Sequence, residues 1–425
     1  MRSHEPQFHG RKRMTRLLTT AAALALVATQ VSAAEFRWAG KTDPQTMDPH
    51  AVSSAPVLGF LNNVYDGLVR MSKDMTLEPS LATAWEPIGE GEGWRFTLRE
   101  GVTFHDGSAF DAEDVMFSYE RASSESADVR SWFSSVTGVT VVDDFTVEMY
   151  TSAPNPLFPA SIANWMMMDK GWSEANNAAR PDKEAGNFAT LNVNGTGAFK
   201  IQGRQPGLST TLVPHEAFWD EVEHNITLAT FTPIQNSATA VAALLSGDVD
   251  FIEPVPIQDA ARLESSDGIT IIRGIETRVL MLGFAHGADT LKYGASAGDA
   301  NPFQDVRVRE AVAKAINVDA ILQTIWRGNA AAASQLVTPA MSGYSIANDA
   351  RPAFDIEGAK ALLADAGYAD GFGFGLKCPN DRYPNDESVC QAITSMLAQI
   401  GISVELDAMP VSNYWPELRE DNFDM

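Results

Sequence analysis

Residues 77–87 read LEPSLATAWEP and residues 93–121 read GWRFTLREGVTFHDGSAFDAEDVMFSYER, separated by a short Gly/Glu-rich spacer. Trp94, Phe96 and Leu98 alternate with Arg95, Thr97 and Arg99, the period of a strand with one buried face. Asp106-Gly107 signals a turn, because glycine accepts the positive φ that tight turns demand. Asp111 is placed to cap a helix whose Val115, Tyr119 and Ala122 share one face. The stretch therefore predicts strand, turn and helix in that order.

The same alternation extends outward in both directions. Upstream, Phe36 to Gly40 predicts a strand and Pro56 to Tyr65 a helix with Val57, Phe60, Leu61 and Val64 on one side. Downstream, VTVVDDFTVEMYT places two alternating runs around Asp143-Asp144, a hairpin. VNGTGAFKI leads from a glycine turn at Gly195–Gly197 into a strand. ITLATFTPI and VDFIEPV predict strands flanking the helix SATAVAALLS, which Gly247 ends. Asn301 and Pro302 are expected to cap and open a helix, followed by VDAILQTIWRG, by DIEGAKALLADAG, by a strand reaching Cys378, and by the pair DESVCQAITSMLAQIG and ISVEL. Short strands and helices in alternation predict an α/β architecture.

Residues 1–34 have the form of a secretory leader. Arg11, Lys12, Arg13 and Arg16 make a basic head, Leu17 to Val31 is an apolar run, and Ser32, Ala33 and Ala34 offer a cleavage site. The run is too short for a membrane span, and no cysteine stands at the cleavage point to carry a lipid. The expectation is a soluble periplasmic protein that is not a lipoprotein. Acidic residues outnumber basic ones by 55 to 31, a net charge of −24, which makes nucleic acid and anionic lipid poor partners. With 425 residues the chain is long enough for more than one domain. Its two cysteines, Cys378 and Cys390, are expected to form a disulfide in an oxidising compartment; the rival thiol metal site lacks a nearby histidine.

The quoted stretch resembles the signature of the family 5 solute-binding proteins of ABC importers, which include dipeptide-, oligopeptide- and nickel-binding members. The resemblance runs in order through nearly all of the chain after the leader. It implies a periplasmic binding protein-like fold of type II, with two lobes joined by a hinge near 282–285 and an extra subdomain inserted in the first lobe. Lobe I is expected over 35–65 and 195–284, the insert over 66–194, and lobe II over 285–425. Family members continue past the position of Met425, so lobe II is expected to be incomplete and ligand binding weak. The resemblance also implies the partners: a small solute, permease subunits in the inner membrane, no cofactor, and a monomeric receptor.

Three places are candidates for ligand contact. Arg382, in CPNDRYPND between the cysteines, resembles the arginine by which dipeptide-binding relatives grip a terminal carboxylate, a task suited to its planar fork. The bland alternative is a solvated loop arginine; Asn380, Asp381 and Tyr383 are weaker candidates beside it. Ser53, Ser54 and Ala55 match a loop that offers backbone groups to an extended ligand, while Ser54 also suits an N-cap. Asn413, Tyr414 and Trp415 follow ISVELDAMP where strand gives way to helix; they line a cleft or pack an ordinary amphipathic helix. Trp85, Trp94 and Trp219 sit in apolar patterns and are read as core.

Catalytic readings find little support. No GxSxG elbow, P-loop or HExxH helix occurs, and the seven histidines are scattered. The glycine-rich GTG and GFGFG strings do not fit a dinucleotide fingerprint. The expected activity is capture of a di- or oligopeptide without chemistry. The alternatives are a non-peptide solute (an opine, a glutathione-like molecule, a sugar or a metal chelate) and, from another class, a secreted hydrolase.

Overall fold

A computed structural model describes residues 34–222, 224–274 and 276–425. The leader expected over residues 1–34 lies outside the described residues except for Ala34, which opens the first strand. The chain runs β1 (Ala34–Gly40), α1 (Ala55–Leu61), β2 (Val69–Met71), β3 (Leu77–Pro79), β4 (Ala82–Ile88), β5 (Gly93–Leu98), α2 (Ala112–Ala122), β6 (Val136–Asp143) and β7 (Thr146–Thr151). It continues through α3 (Phe158–Ser161), α4 (Lys170–Ala175), β8 (Phe199–Gln205), β9 (Ser209–Pro214), β10 (Ile226–Pro233), α5 (Ser237–Ser246), β11 (Phe251–Glu253) and α6 (Ile257–Glu264). The last part holds α7 (Val306–Ala315), α8 (Val318–Thr324), α9 (Ile356–Asp365), β12 (Gly373–Pro379), α10 (Asp386–Leu397), β13 (Ser403–Met409) and α11 (Val411–Arg419).

Two of the sheets carry parallel pairs. In the first, ordered β11-β1-β10-β9-β8, β1 runs parallel to both β10 and β11. In the other, β12 runs parallel to β13 from Gly373–Ser403 to Pro379–Met409. A separate antiparallel sheet, β4-β5-β7-β6, is formed by residues between β1 and β8 of the first. Each region buries its own apolar side chains. Phe96, Phe104, Phe110 and Trp165 belong to a core drawn from residues 68–167. A second core, with Phe303, Phe374 and Leu397, draws its buried members from residues 291–425. Trp38 and Phe60 meet Phe231 under the first sheet, at ring separations of 5.3 and 5.4 Å.

The decisive stretch folds as its pattern requires. Phe96 and Leu98 of β5 are buried while Thr97 is exposed, and Gly107 takes φ +93°. Asp111 caps α2 reciprocally: its carboxylate accepts from the Glu113 amide, and the Asp114 carboxylate accepts from the Asp111 amide. Trp85, Trp94 and Trp219 pack at the edge of the first core, half-buried.

Three expectations need correction. The first helix stops at Leu61 and not near Tyr65, because Asn62 to Val64 turn to meet the 195–199 segment, where Gly197 and Phe199 amides donate to Val64 and Asn63 carbonyls. Asn301 caps a single 3₁₀ turn at Pro302–Gln304; the α-helix that follows starts at Val306 with Asp305 as its cap. The GTG string is not a positive-φ turn. It is a close approach of two backbones, since a Cβ on Gly195 would lie 2.0 Å from the Val64 carbonyl oxygen.

Candidate ligand-binding site

In open α/β sheets the crevice outside the carboxyl ends of parallel strands is where ligands bind, because loops there are free of the sheet's own packing. At that end of β12 the chain forms the loop 380–385. Its first amide, of Asn380, donates to Met409 (3.0 Å) and extends the β12–β13 ladder by one rung. Asp386 then organises the rest. One of its carboxylate oxygens accepts from the amides of Arg382 and Tyr383, each at 3.0 Å, and the other from the amide of Glu387. The Cys378–Cys390 disulfide forms as expected and closes the base of the loop onto α10. Asn385 adopts a left-handed φ of 58° and donates its side-chain amide to the Ile325 carbonyl at 3.1 Å.

This architecture leaves the Arg382 side chain exposed. Its guanidinium carbon lies 5.2 Å from the ring centre of Tyr383, and it joins no ion pair among the described residues. A second guanidinium, that of Arg278, lies 5.6 Å from the same ring. Arg278 comes from the segment after α6 and pairs with Glu276 at 2.9 Å. Cations over an aromatic face are attracted by the ring's quadrupole, so Tyr383 orients both. Tyr414, in the first turns of α11, is half-buried; burial and the nearby Tyr383 phenol both hold its hydroxyl above the ordinary tyrosine range. Trp415 packs edge-on against Tyr414 at 5.3 Å and keeps 40% of its surface exposed. Tyr383 thus lies beside Arg382, with Tyr414 next to Tyr383 and Trp415 against Tyr414, whereas Asn413 is exposed with its amide donating to Pro410.

Asp381 has a different job from the one its position suggests. Its carboxylate accepts from the Val411 amide at 2.7 Å, capping the start of α11 from another loop. Sequence reading also missed Asp386 and Arg278. Asp386 was detectable as an acid in the first turn of a helix; Arg278 lies about a hundred residues upstream of the loop, and nothing local marks it.

Ser53, Ser54 and Ala55 lie elsewhere. The Ser53 hydroxyl donates to Asp128 at 2.6 Å. Ser54 occupies the N-cap position of α1, but its side chain makes no cap bond; its carbonyl accepts the Val57 and Leu58 amides instead. The side-chain capping expected of Ser54 is therefore corrected. Ala55 is an exposed first residue of the helix. No hydrogen bond or ring contact joins this loop to the Arg382 loop among the described residues.

What does link the two parallel sheets is a chain of contacts on the carboxyl side. β11 leads into α6, where the Gln258 carbonyl accepts from Arg327 at 3.5 Å, and two residues earlier Ile325 holds Asn385. The described residues contain no group of three His, Cys, Asp or Glu side chains able to hold a metal. None of their helices is long and apolar enough to cross a membrane.

Residues 76–425 match the family model described as bacterial extracellular solute-binding proteins, family 5 Middle. The glutathione-binding protein GsiB of Salmonella paratyphi A is 25% identical over 366 residues, which is 86% of this chain and 67% of the relative. The dipeptide-binding protein of Escherichia coli K12 is 27% identical over 408 residues, 89% of this chain and 72% of that one. Among solved structures, the periplasmic binding protein AgaA from A. tumefaciens R10, in complex with agropinic acid, superposes with a TM-score of 0.70 at 26% identity. That match covers 92% of this chain and 76% of AgaA. The Helicobacter pylori periplasmic binding protein DppA, in complex with peptide STSA, gives a TM-score of 0.73 over 92% of this chain and 77% of DppA; at 24% identity it speaks for the fold. These neighbours agree with a type II periplasmic binding architecture.

Proposed function

Because the chain belongs to the family 5 bacterial extracellular solute-binding proteins, we propose that it captures a di- or oligopeptide and delivers it to the permease of an ABC importer. Its activity is binding and not catalysis. The peptide lies, on this reading, between the carboxyl edge of β1, β10 and β11 and that of β12 and β13. We assign residues 35–65 and 195–284 to one lobe, 66–194 to its insert and 285–425 to the other; the separate core of residues 291–425 supports the second lobe, while the insert shares a core with the first. We further assign the receptor to the periplasm, which the extracellular description of the family supports, and read it as a monomer.

The observation that carries the peptide reading is the Arg382 guanidinium, exposed, without an acidic partner, and mounted on a disulfide-closed loop at a strand's carboxyl end. Such a fork grips a carboxylate through two parallel charge-assisted bonds. The disulfide and the Asp386 bonds order the loop beforehand, which lowers the entropy lost on binding. We assign Asn380, Tyr383, Tyr414, Trp415 and Asn413 to the same wall. We assign Ser53, Ser54 and Ala55 to ligand contact through their backbone, since the Ser53 hydroxyl is engaged.

The test is native mass spectrometry of the purified protein, followed by thermal-shift measurement with a dipeptide and tetrapeptide panel. Peptide in the native spectrum and a raised melting temperature with at least one panel member are expected. A non-peptide ligand in the spectrum with no peptide response would replace the reading by the alternative that AgaA favours, an acidic non-peptide solute.

A further inference from the structure

Two cations share the half-buried Tyr383 ring, as Arg70 and Arg99 share Trp219; there Arg70 also pairs with Asp220 and Glu78, whereas Arg382 joins no ion pair among the described residues. The molecule carries a net charge of −24, yet Arg278 and Arg382 converge on Tyr383 from segments about a hundred residues apart. Their guanidinium carbons lie within about 11 Å of each other, since both sit near the same ring centre. Like charges at this range repel only weakly through solvent, and the carboxylates of the same loop are aimed at backbone amides and not at either guanidinium. Asp381 is turned to the Val411 amide, and Asp386 to three backbone amides. Glu276 does pair with Arg278, but its side chain is 63% exposed and only two residues away. An exposed local pair of that kind contributes about 0–1 kcal/mol and is easily exchanged for a better partner.

We infer that Arg278 and Arg382 form a two-point anion site around Tyr383, so that the preferred ligand carries a second acidic group besides a terminal carboxylate. This inference rests on the reading of the Arg382 loop as the ligand site and narrows the substrate class to diacids. Two carboxylates a few bonds apart, each about 2.8 Å from a guanidinium nitrogen, can bridge two guanidinium carbons that lie no more than about 11 Å apart. A monocarboxylate satisfies one arginine and leaves the other with its weak local partner. A diacid satisfies both, and the Tyr383 ring keeps both forks in place before it arrives.

The experiment compares isosteric acid and amide probes by calorimetry on the full-length protein. The pairs are Ala-Glu with Ala-Gln, and glutarate with its monoamide. In the unaltered protein the acid of a pair is expected to bind about tenfold more tightly than its amide. In Arg278→Gln the two are expected to bind within about twofold of each other, with Arg278→Lys in between because an ammonium lacks the planar fork. Circular dichroism melting of each variant checks that Arg278, half-buried in an irregular segment, is dispensable for folding. Equal affinity for acid and amide in the unaltered protein would overturn the inference, as would an acid preference that survives Arg278→Gln, or failure of all four probes to bind. If only the glutarate pair binds, with the expected loss in Arg278→Gln, the diacid site stands and the peptide reading falls.

Discussion

Arg121 and Asp48 face each other with neither side chain exposed, Nη1 to Oδ1 at 2.7 Å and Nη2 to Oδ2 at 2.5 Å. The pair joins α2, the helix of the decisive stretch, to the loop that carries Ser53. The remaining donors of the site are also used: Arg121 Nε bonds the Ala178 carbonyl, and the His50 amide donates to Asp48. Breaking one side of such a pair strands a charge, so Asp48→Asn or Arg121→Met is expected to cost about 3–5 kcal/mol. Replacing both together, with Asp48→Leu and Arg121→Met, is expected to cost less than either single change. Urea midpoints of the three variants check this.

Acid stability follows from buried histidines. Burial, and then the Arg121 charge, hold His50 down at about 3; burial holds His105 at about 4. His105 sits edge-on to His215, 4.9 Å away, and both rings reach the Gly197 carbonyl. In the folded chain these rings stay neutral, while an unfolded histidine takes up a proton below about 6.5. Stability is therefore complete above that pH and falls as pH drops toward 4, by up to about 3 kcal/mol for His105 alone. Asp114, which burial pushes up to about 7, acts in the opposite direction. Its effect cancels in a difference, so the melting temperature of His105→Gln is expected to fall less steeply between neutral pH and pH 5 than that of the unaltered protein.

A methyl group at Gly195 has no room. Its Cβ would lie 2.0 Å from the Val64 oxygen and 2.7 Å from the Tyr65 ring, both held by buried neighbours. Gly195→Ala is expected to destabilise the protein by about 1–3 kcal/mol. Gly207→Ala, with open space around it but φ +75°, provides a comparison in which strain acts without a clash. Thermal melts of the two variants should rank Gly195→Ala lower.

Reduction of Cys378–Cys390 frees a short loop, twelve residues in sequence separation. The chain-entropy model gives a loss of about 3 kcal/mol for the double Cys→Ala variant, read from urea midpoints with and without reductant. The same change should weaken carboxylate ligands, because the Arg382 loop must then be ordered at the moment of binding.

Arg382→Ala is expected to cost at least ~2 kcal/mol with a carboxylate ligand, and Arg382→Lys less. Calorimetry that returns unchanged affinity for Arg382→Ala would take the residue out of the site.

Short-range structure was legible wherever one face of an element is buried. Trp94 to Leu98, the Asp111 cap, the hairpin at Asp143-Asp144, the Gly247 helix end and the Cys378–Cys390 pair all follow from periods and caps that span a dozen residues or fewer. The family was legible too, since its signature lies on those same structural segments. The misjudged features depend on distant backbone: α1 ends early because residues 195–199 pack on Asn62 to Val64, and Gly195 is glycine because Val64 lies against it.

By itself the sequence determined the alternation of strands and helices, the disulfide and the solute-binding family, because each is carried by side chains close together along the chain. Tertiary structure alone decided that Asp48 would be buried against Arg121, that Asp381 would cap α11, and that Arg278 would join Arg382 over Tyr383. Those partners are separated by 73, 30 and about a hundred residues, and no local period encodes a meeting made when separate cores pack.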